Sequence, residues 1–179
     1  LGVEKNLISD NFNCHHIIVE NWDELESEKG VIFVSIPTLL DSSLAPKGKH
    51  IIHAFTPSSI VEWDGLSRKE YLQKKEEYFT FLVEKISKLL PNLDQNIDHK
   101  EIGTPKTHKK FLGRYEGSYG PIPSQKLLGL LPMPFNTTKI KNLYCVGDSC
   151  FPGQGLNAVA FSGYALSLIH ISEPTRRPI

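Results

Sequence analysis

The stretch from Ser67 to Pro91 restricts the fold more than any other part of the chain. Ser67 stands three residues before Glu70, the spacing at which a hydroxyl and a carboxylate each satisfy one orphan amide of a first helical turn. Leu66 and Tyr71 occupy the positions of a hydrophobic staple, and Pro91 cannot continue a helix. Between these bounds apolar residues recur at Tyr71, Leu72, Tyr78, Phe79, Leu82, Val83, Ile86, Leu89 and Leu90, a helical period with one buried stripe. Lys74, Lys75, Glu76, Glu77 and Lys85 fall on the wet side and read as a solvated face. The spacing predicts a helix over 68–90 that needs a layer to cover.

That layer is legible just upstream. Residues 14–20 (CHHIIVE) and 31–36 (VIFVSI) are β-branched and apolar, hence strands. Residues 50–56 (HIIHAFT) read as a third, reached through the turn-rich run Ala45-Pro46-Lys47-Gly48-Lys49. Loops rather than helices join them, which predicts an antiparallel sheet. A further short strand is expected at 100–102. His15 and His16 point to opposite faces of a strand, as do His50 and His53, so neither pair chelates a metal from one face.

Composition excludes several classes. Lys plus Arg is 20 and Asp plus Glu is 20, so the net charge is zero and nothing draws the chain generally to nucleic acid. No apolar run approaches the roughly 18 residues of a spanning helix. Three cysteines, Cys14, Cys145 and Cys150, with no CxxC, argue against a disulfide framework or a zinc site. The size, 179 residues, allows one ordinary domain but not two large ones.

Residues 103–134 are rich in Gly and Pro and read as a long irregular region, the kind that tends to carry function. His108 is expected there as a solvated loop residue. Leu127, Leu128, Leu130, Leu131 and Met133 form an apolar loop, suited either to packing at a domain border or to contact with a polyene or a membrane surface. Residues 142–146 (NLYCV) then read as a short buried strand. A glycine-rich turn and a small-residue helix from about Leu156 follow. Strand, glycine turn and helix make an α/β unit, so a change of domain is expected near 139–142.

Both ends look unlike native termini. Leu1 leads almost directly into strand-like sequence with no targeting segment. Residues 166–179 (LSLIHISEPTRRPI) break the helical pattern, with Pro174 and Pro178, and resemble the translation of a sequencing adapter; a genuine polar terminus is the alternative. The expected organisation is therefore 1–140, a portion of a substrate domain; 141–165, a return to a cofactor domain; and 166–179, a non-native tail.

The candidate site lies in 142–163, NLYCVGDSCFPGQGLNAVAFSG. Asp148 sits just past the carboxyl end of the expected strand, where α/β sheets place ligands. Gly153 and Gly155 lack a Cβ and allow close approach to a planar or phosphorylated ligand. The helix beginning at Leu156 offers unpaired amides and its positive end. GQGLNA also fits G-x-G-x-x-G/A loosely. However, Ser149–Pro152 intervene after the strand, and the acidic residue expected about 20 positions on is Glu173, in the suspect tail. Gly147-Asp148-Ser149 is similar to the nucleophile block of GDS-type esterases, which need a later Asp-x-x-His that only His170 could serve. Ser149 is no G-x-S-x-G elbow, because position 151 is Phe. Cys145 and Cys150 read as packing thiols rather than redox-active ones.

The same stretch resembles the carboxyl-terminal flavin motif of the phytoene desaturase and amine oxidase group of FAD flavoproteins, and within it the carotenoid isomerases. The likeness continues through SIPTLLDSSLAPKGKHIIHAFTPSSIVEWDGLSRKEY, EIGTPKTHKKFL, SYGPIP and PMPFNTT, most of residues 17–164. The resemblance implies an α/β fold with an α+β substrate domain, part of a two-domain, Rossmann-like FAD flavoprotein. It implies FAD, reduced for activity, held by Gly147, Asp148, Gly153, Gly155, Leu156 and Asn157. In the family the Gly-Asp pair meets the ribityl and diphosphate region, and the helix start faces the flavin ring. It assigns no catalytic residue and no metal. The implied substrate is a poly-cis carotenoid such as prolycopene, isomerised to its trans form in a plastid, peripheral to a membrane. A carotenoid desaturase, a retinoid saturase or a non-catalytic lipid-binding member are the alternatives. The family's principal dinucleotide fingerprint is not in this chain, so the chain alone is not expected to bind FAD.

Overall fold

The computed structural model describes residues 1–25, 27–118 and 133–172, with side chains of the last helix through Leu168. The loop expected at 127–131 lies outside the described residues. The chain divides into two compact units, Leu1–Phe111 and Leu112–Ile179.

The first unit contains two small antiparallel sheets and a covering helix. Strands β2 (His15–Val19), β3 (Val31–Ser35) and β5 (His53–Phe55) form one sheet in the order β2-β3-β5. Strands β1 (Gly2–Glu4), β4 (Lys49–Ile51) and β6 (Ile97–His99) form the other, in the order β4-β1-β6. The fold of this unit is α+β. The register puts Ile18 opposite Ile32, and His16 opposite Val34 and so in line with Ala54. Ile32, Val34, Ile36 and Ile52 are buried with Val83, Ile86, Leu90 and Leu93 in one core.

Helix α1 (Arg68–Ser87) starts as the sequence predicts. Ser67 accepts from the Glu70 amide at 3.3 Å, and the Ser67 amide donates to the Glu70 carboxylate at 2.8 Å. The hydrogen bonds from Ser67 hold the Glu70 carboxyl below its ordinary range. The helix stops short of Leu90 because the amides of Leu89 and Leu90 both converge on the Ile86 carbonyl, at 2.9 Å each, which tightens the last turn.

Four expectations are corrected. The single strand over 50–56 is two strands in different sheets. They are separated at Ile52, which is 1% exposed and donates its amide to the Leu1 carbonyl at 2.9 Å. One apolar run thus serves both sheets, which local pattern cannot reveal. The short strand expected at 100–102 lies instead at Ile97–His99, paired with β1. The irregular region contains helix α2 (Pro105–Leu112), entered by a proline at its first position, so His108 is a half-buried helical residue rather than a loop one. Residues 142–146 do not form a strand. One isolated antiparallel bridge, Thr137 to Tyr144, is present, and Leu143 and Val146 are exposed. A strand exists only through its neighbours, and no other described strand pairs with this run.

The second unit carries helix α3 (Leu156–Ser172), which continues past Ala165. Its apolar side chains Leu156, Val159, Phe161, Tyr164 and Leu168 are all exposed. Among the described residues no helix is long and apolar enough to cross a membrane.

Candidate functional site

The turn before α3 is built on three glycines with left-handed backbone. Gly147 has φ 113°, Gly153 φ 113° and Gly155 φ 102°. Residues with a Cβ rarely adopt these angles, so glycine is required by conformation at each. Their surroundings differ. A Cβ at Gly147 or Gly155 would meet nothing within 4 Å, whereas one at Gly153 would lie 3.4 Å from the Met133 thioether. Gly155 therefore faces open space at the helix start, and Gly153 packs against Met133. The Phe151–Pro152 peptide is cis, and the Phe151 amide donates to the Pro134 carbonyl at 2.8 Å.

Asn136 and Ser162 fix this turn to α3. Asn136 is 6% exposed and Ser162 0%. Asn136 Nδ2 donates to the Cys145 carbonyl at 2.9 Å, to the Ser162 carbonyl at 3.0 Å and to Ser162 Oγ at 3.1 Å. The Cys145 amide returns a bond to the Asn136 carbonyl at 2.9 Å, and the Gly147 amide donates to Ser162 Oγ at 3.2 Å. Neither Asn136 nor Ser162 was singled out from sequence, although PMPFNTT and NAVAFSG contain them. Their partnership joins positions 26 apart.

Asp148 is ion-paired with Arg114 Nη2 and accepts a longer bond, 3.4 Å, from the Ser149 hydroxyl. The Arg114 hydrogen bond holds the Asp148 carboxyl below its ordinary range and pushes the guanidinium higher still. Both groups thus stay charged at neutral pH. Sequence reasoning missed Arg114. The only signal was an arginine in the glycine-flanked run Gly113–Gly117.

At the helix start, Val159 donates the first helical hydrogen bond to the Gly155 carbonyl at 2.9 Å. The amides of Leu156, Asn157 and Ala158 precede it, at the positive end of a helix with no acidic residue in its first turn. Leu156 is 85% exposed. Of the two thiols flanking the turn, Cys150 is buried, and burial pushes it up and away from the reactive thiolate. Cys145, expected to be buried, is exposed. Gly155, Leu156 and Asn157 thus stand at the start of α3, Gly147 is bonded to Ser162 farther along that helix, Asp148 is paired with Arg114, and Gly153 is set against Met133.

A helix N-terminus that follows a glycine turn presents amides that suit an anionic or polarisable group. No protein-family model matches the chain. Comparison with curated proteins finds several similar enzymes. The chain is 28% identical over 88% of its length to the 4,4'-diapolycopen-4-al dehydrogenase of Metabacillus indicus, covering 31% of that protein. More distant relatives bear the names of desaturases and oxidoreductases. The chain is also similar to prolycopene isomerases. It is 54% identical to the chloroplastic enzyme of Arabidopsis thaliana and 56% to prolycopene isomerase 2 of an Oncidium hybrid cultivar, in each case over 91% of this chain. The chain spans 28% of the length of each of those two relatives.

Proposed function

We propose that this chain supplies part of an FAD-dependent carotenoid isomerase of the chloroplast, converting prolycopene to its all-trans isomer. The identity of 54–56% over 91% of the chain carries this reading. On it, residues up to about 140 belong to the substrate domain, and 141–165 return to a Rossmann-like FAD domain. Contact with a membrane surface is peripheral. The exposed apolar side chains of α3 support a larger assembly, because a helix apolar on several sides is normally enclosed.

The residues present fit a flavin dinucleotide. Gly155 faces open space, so a flat ring would meet no Cβ there. The carboxylate of Asp148, kept ionised by Arg114, would accept from ribityl hydroxyls, and the Gly147 amide is bonded to Ser162 Oγ. The amides of Leu156 and Asn157 present the positive helix end, which favours an adjacent anion by roughly 0.3–1 kcal/mol. When bound and reduced, the flavin supplies the electron density that lowers the bond order of a polyene double bond for rotation. The chain's share is to orient the ring, exclude water with the apolar face of α3 and steady negative charge at the helix amides. No proton transfer is required, which agrees with the lack of an acid–base dyad in the turn.

The test uses the full-length protein that contains this chain, reduced and anaerobic. It should convert a poly-cis carotenoid to a trans product of unchanged mass, with many turnovers per flavin. A product lighter or heavier by two hydrogens, or one flavin redox event per product, would assign it to the desaturase or saturase reaction instead.

A further inference from the structure

We infer that Cys145 and Cys150 are a redox pair whose reversible disulfide closes the loop carrying Gly147 and Asp148. This bond needs only residues of the second unit and does not depend on the isomerase reading. The two cysteines bound the run CVGDSC, which by itself reads as packing thiols around a turn. The structure folds that run back on itself. Both of its ends hydrogen-bond to one short stretch of chain. The Cys145 amide donates to the Asn136 carbonyl at 2.9 Å, and the Phe151 amide, next to Cys150, donates to the Pro134 carbonyl at 2.8 Å. Carbonyls two residues apart thus hold the ends of the loop side by side. Within it the Cys150 amide turns back to the Gly147 carbonyl at 3.3 Å. The side chains meet as well, for the Cys145 and Cys150 thiols share a hydrogen bond. Cys14 is engaged elsewhere, its thiol donating to the Ile36 carbonyl at 3.3 Å in the first unit.

The two thiols differ in a way that orders the chemistry. Cys145 is exposed and Cys150 is 2% exposed, so an external disulfide meets Cys145 first. The oxidant is a small disulfide of the glutathione class. The Cys145 thiolate attacks one of its sulfurs, forming a mixed disulfide and releasing one glutathione thiolate. The Cys150 thiolate then attacks Cys145 Sγ, and the second glutathione thiolate leaves. Two electrons pass from the protein dithiol to the oxidant, and the two thiol protons end on the two glutathiones. Burial, with Cys145 adding, pushes the Cys150 thiol up, so the second step relies on proximity and quickens as pH rises. Once closed, the ring limits how far the loop can open, and with it the Asp148–Arg114 pair and the Gly147–Ser162 bond.

The test uses the full-length protein that contains this chain. It is equilibrated in glutathione buffers of rising glutathione disulfide content, quenched with acid, alkylated and digested for mass spectrometry. Trypsin cuts after Lys141 and meets no Lys or Arg again before Arg176, so both cysteines travel in one peptide. From oxidising buffer that peptide should be two hydrogens lighter than its dithiol form and carry no alkyl group. Dithiothreitol should restore alkylation at both positions, and Cys14 should alkylate throughout. In Cys150→Ser the glutathione adduct on Cys145 should outlast that of the parent about tenfold or more, because the resolving thiol is gone. In urea, which removes the bonds to Pro134 and Asn136, half-oxidation should require about tenfold more glutathione disulfide or higher. Alkylation of both cysteines from oxidising buffer overturns the proposal. So does an adduct as long-lived in the parent as in Cys150→Ser, an unchanged midpoint in urea, or pairing of Cys145 with any cysteine other than Cys150.

Discussion

Asn136 gives the sharpest test of how the candidate site is held. Its amide nitrogen faces three oxygens at 2.9–3.1 Å: the Cys145 carbonyl, the Ser162 carbonyl and Ser162 Oγ. Asn136→Ala removes these donations and leaves a small void. Ser162 Oγ keeps the Gly147 amide as a partner, and the Cys145 carbonyl can turn to water because Cys145 is exposed. Two net hydrogen bonds at about 1 kcal/mol each, with a modest cavity, give a loss of roughly 2–3 kcal/mol. Asn136→Asp conserves shape but places a carboxylate oxygen against the same three oxygens at a site 6% exposed. A buried charge facing acceptors costs more than an absent donor, so the isosteric variant should be the less stable of the two, by more than 3 kcal/mol relative to the parent. Native-state labelling of Cys150, which is 2% exposed, reads the opening of this region. Labelling should quicken about 30-fold or more in Asn136→Ala and further in Asn136→Asp. Acid should partly rescue Asn136→Asp, because a neutral carboxyl regains a donor. If Asn136→Asp labels as slowly as the parent, or more slowly than Asn136→Ala, side-chain volume rather than hydrogen bonding holds the turn.

Three further outcomes are expected. Burial pushes the His50 imidazole below its ordinary pKa, with the Lys5 charge adding and Asp10 opposing; Thr38 Oγ1 meets Nδ1 at 2.8 Å, and Nε2 has no partner. The unfolded chain therefore takes up the proton first, so urea midpoints of the first unit should be flat above about pH 6.5 and fall as pH drops through it, a slope that His50→Gln should remove. Ile86→Ala, at a residue 1% exposed in the core under α1, should cost about 2–5 kcal/mol in denaturant unfolding, whereas Leu72→Ala, 49% exposed on the same helix, should cost less than half of that. In the full-length protein Gly155→Val should release flavin, whereas Gly48→Val, also at positive φ (84°) but in a surface turn, should leave flavin content unchanged; equal loss at both would assign the effect to backbone strain alone.

The sequence by itself determined what is local. The capping box at Ser67, the α1 stripe, and strands β2 and β3 follow from spacing and side-chain type, because each is a property of a few consecutive residues. The glycines at 147, 153 and 155 stood out in the sequence as places of close approach or by resemblance, and the structure gives each a left-handed backbone that requires glycine. Tertiary structure decided what depends on partners distant in the chain. Residues 50–56 divide between two sheets only because β1 and β3 each claim half. Residues 142–146 look like a strand but, among the described residues, make only an isolated bridge, Thr137 to Tyr144. Arg114 meets Asp148, and Asn136 meets Ser162, across 34 and 26 positions that no local pattern links. Apolar residues at Ile17, Phe33 and Phe55 read simply as strand, and only the register sets them side by side on the face away from the core. A sequence records which residues prefer burial, but which surface they are buried against is fixed when separate segments compete for the same hydrogen bonds and the same core.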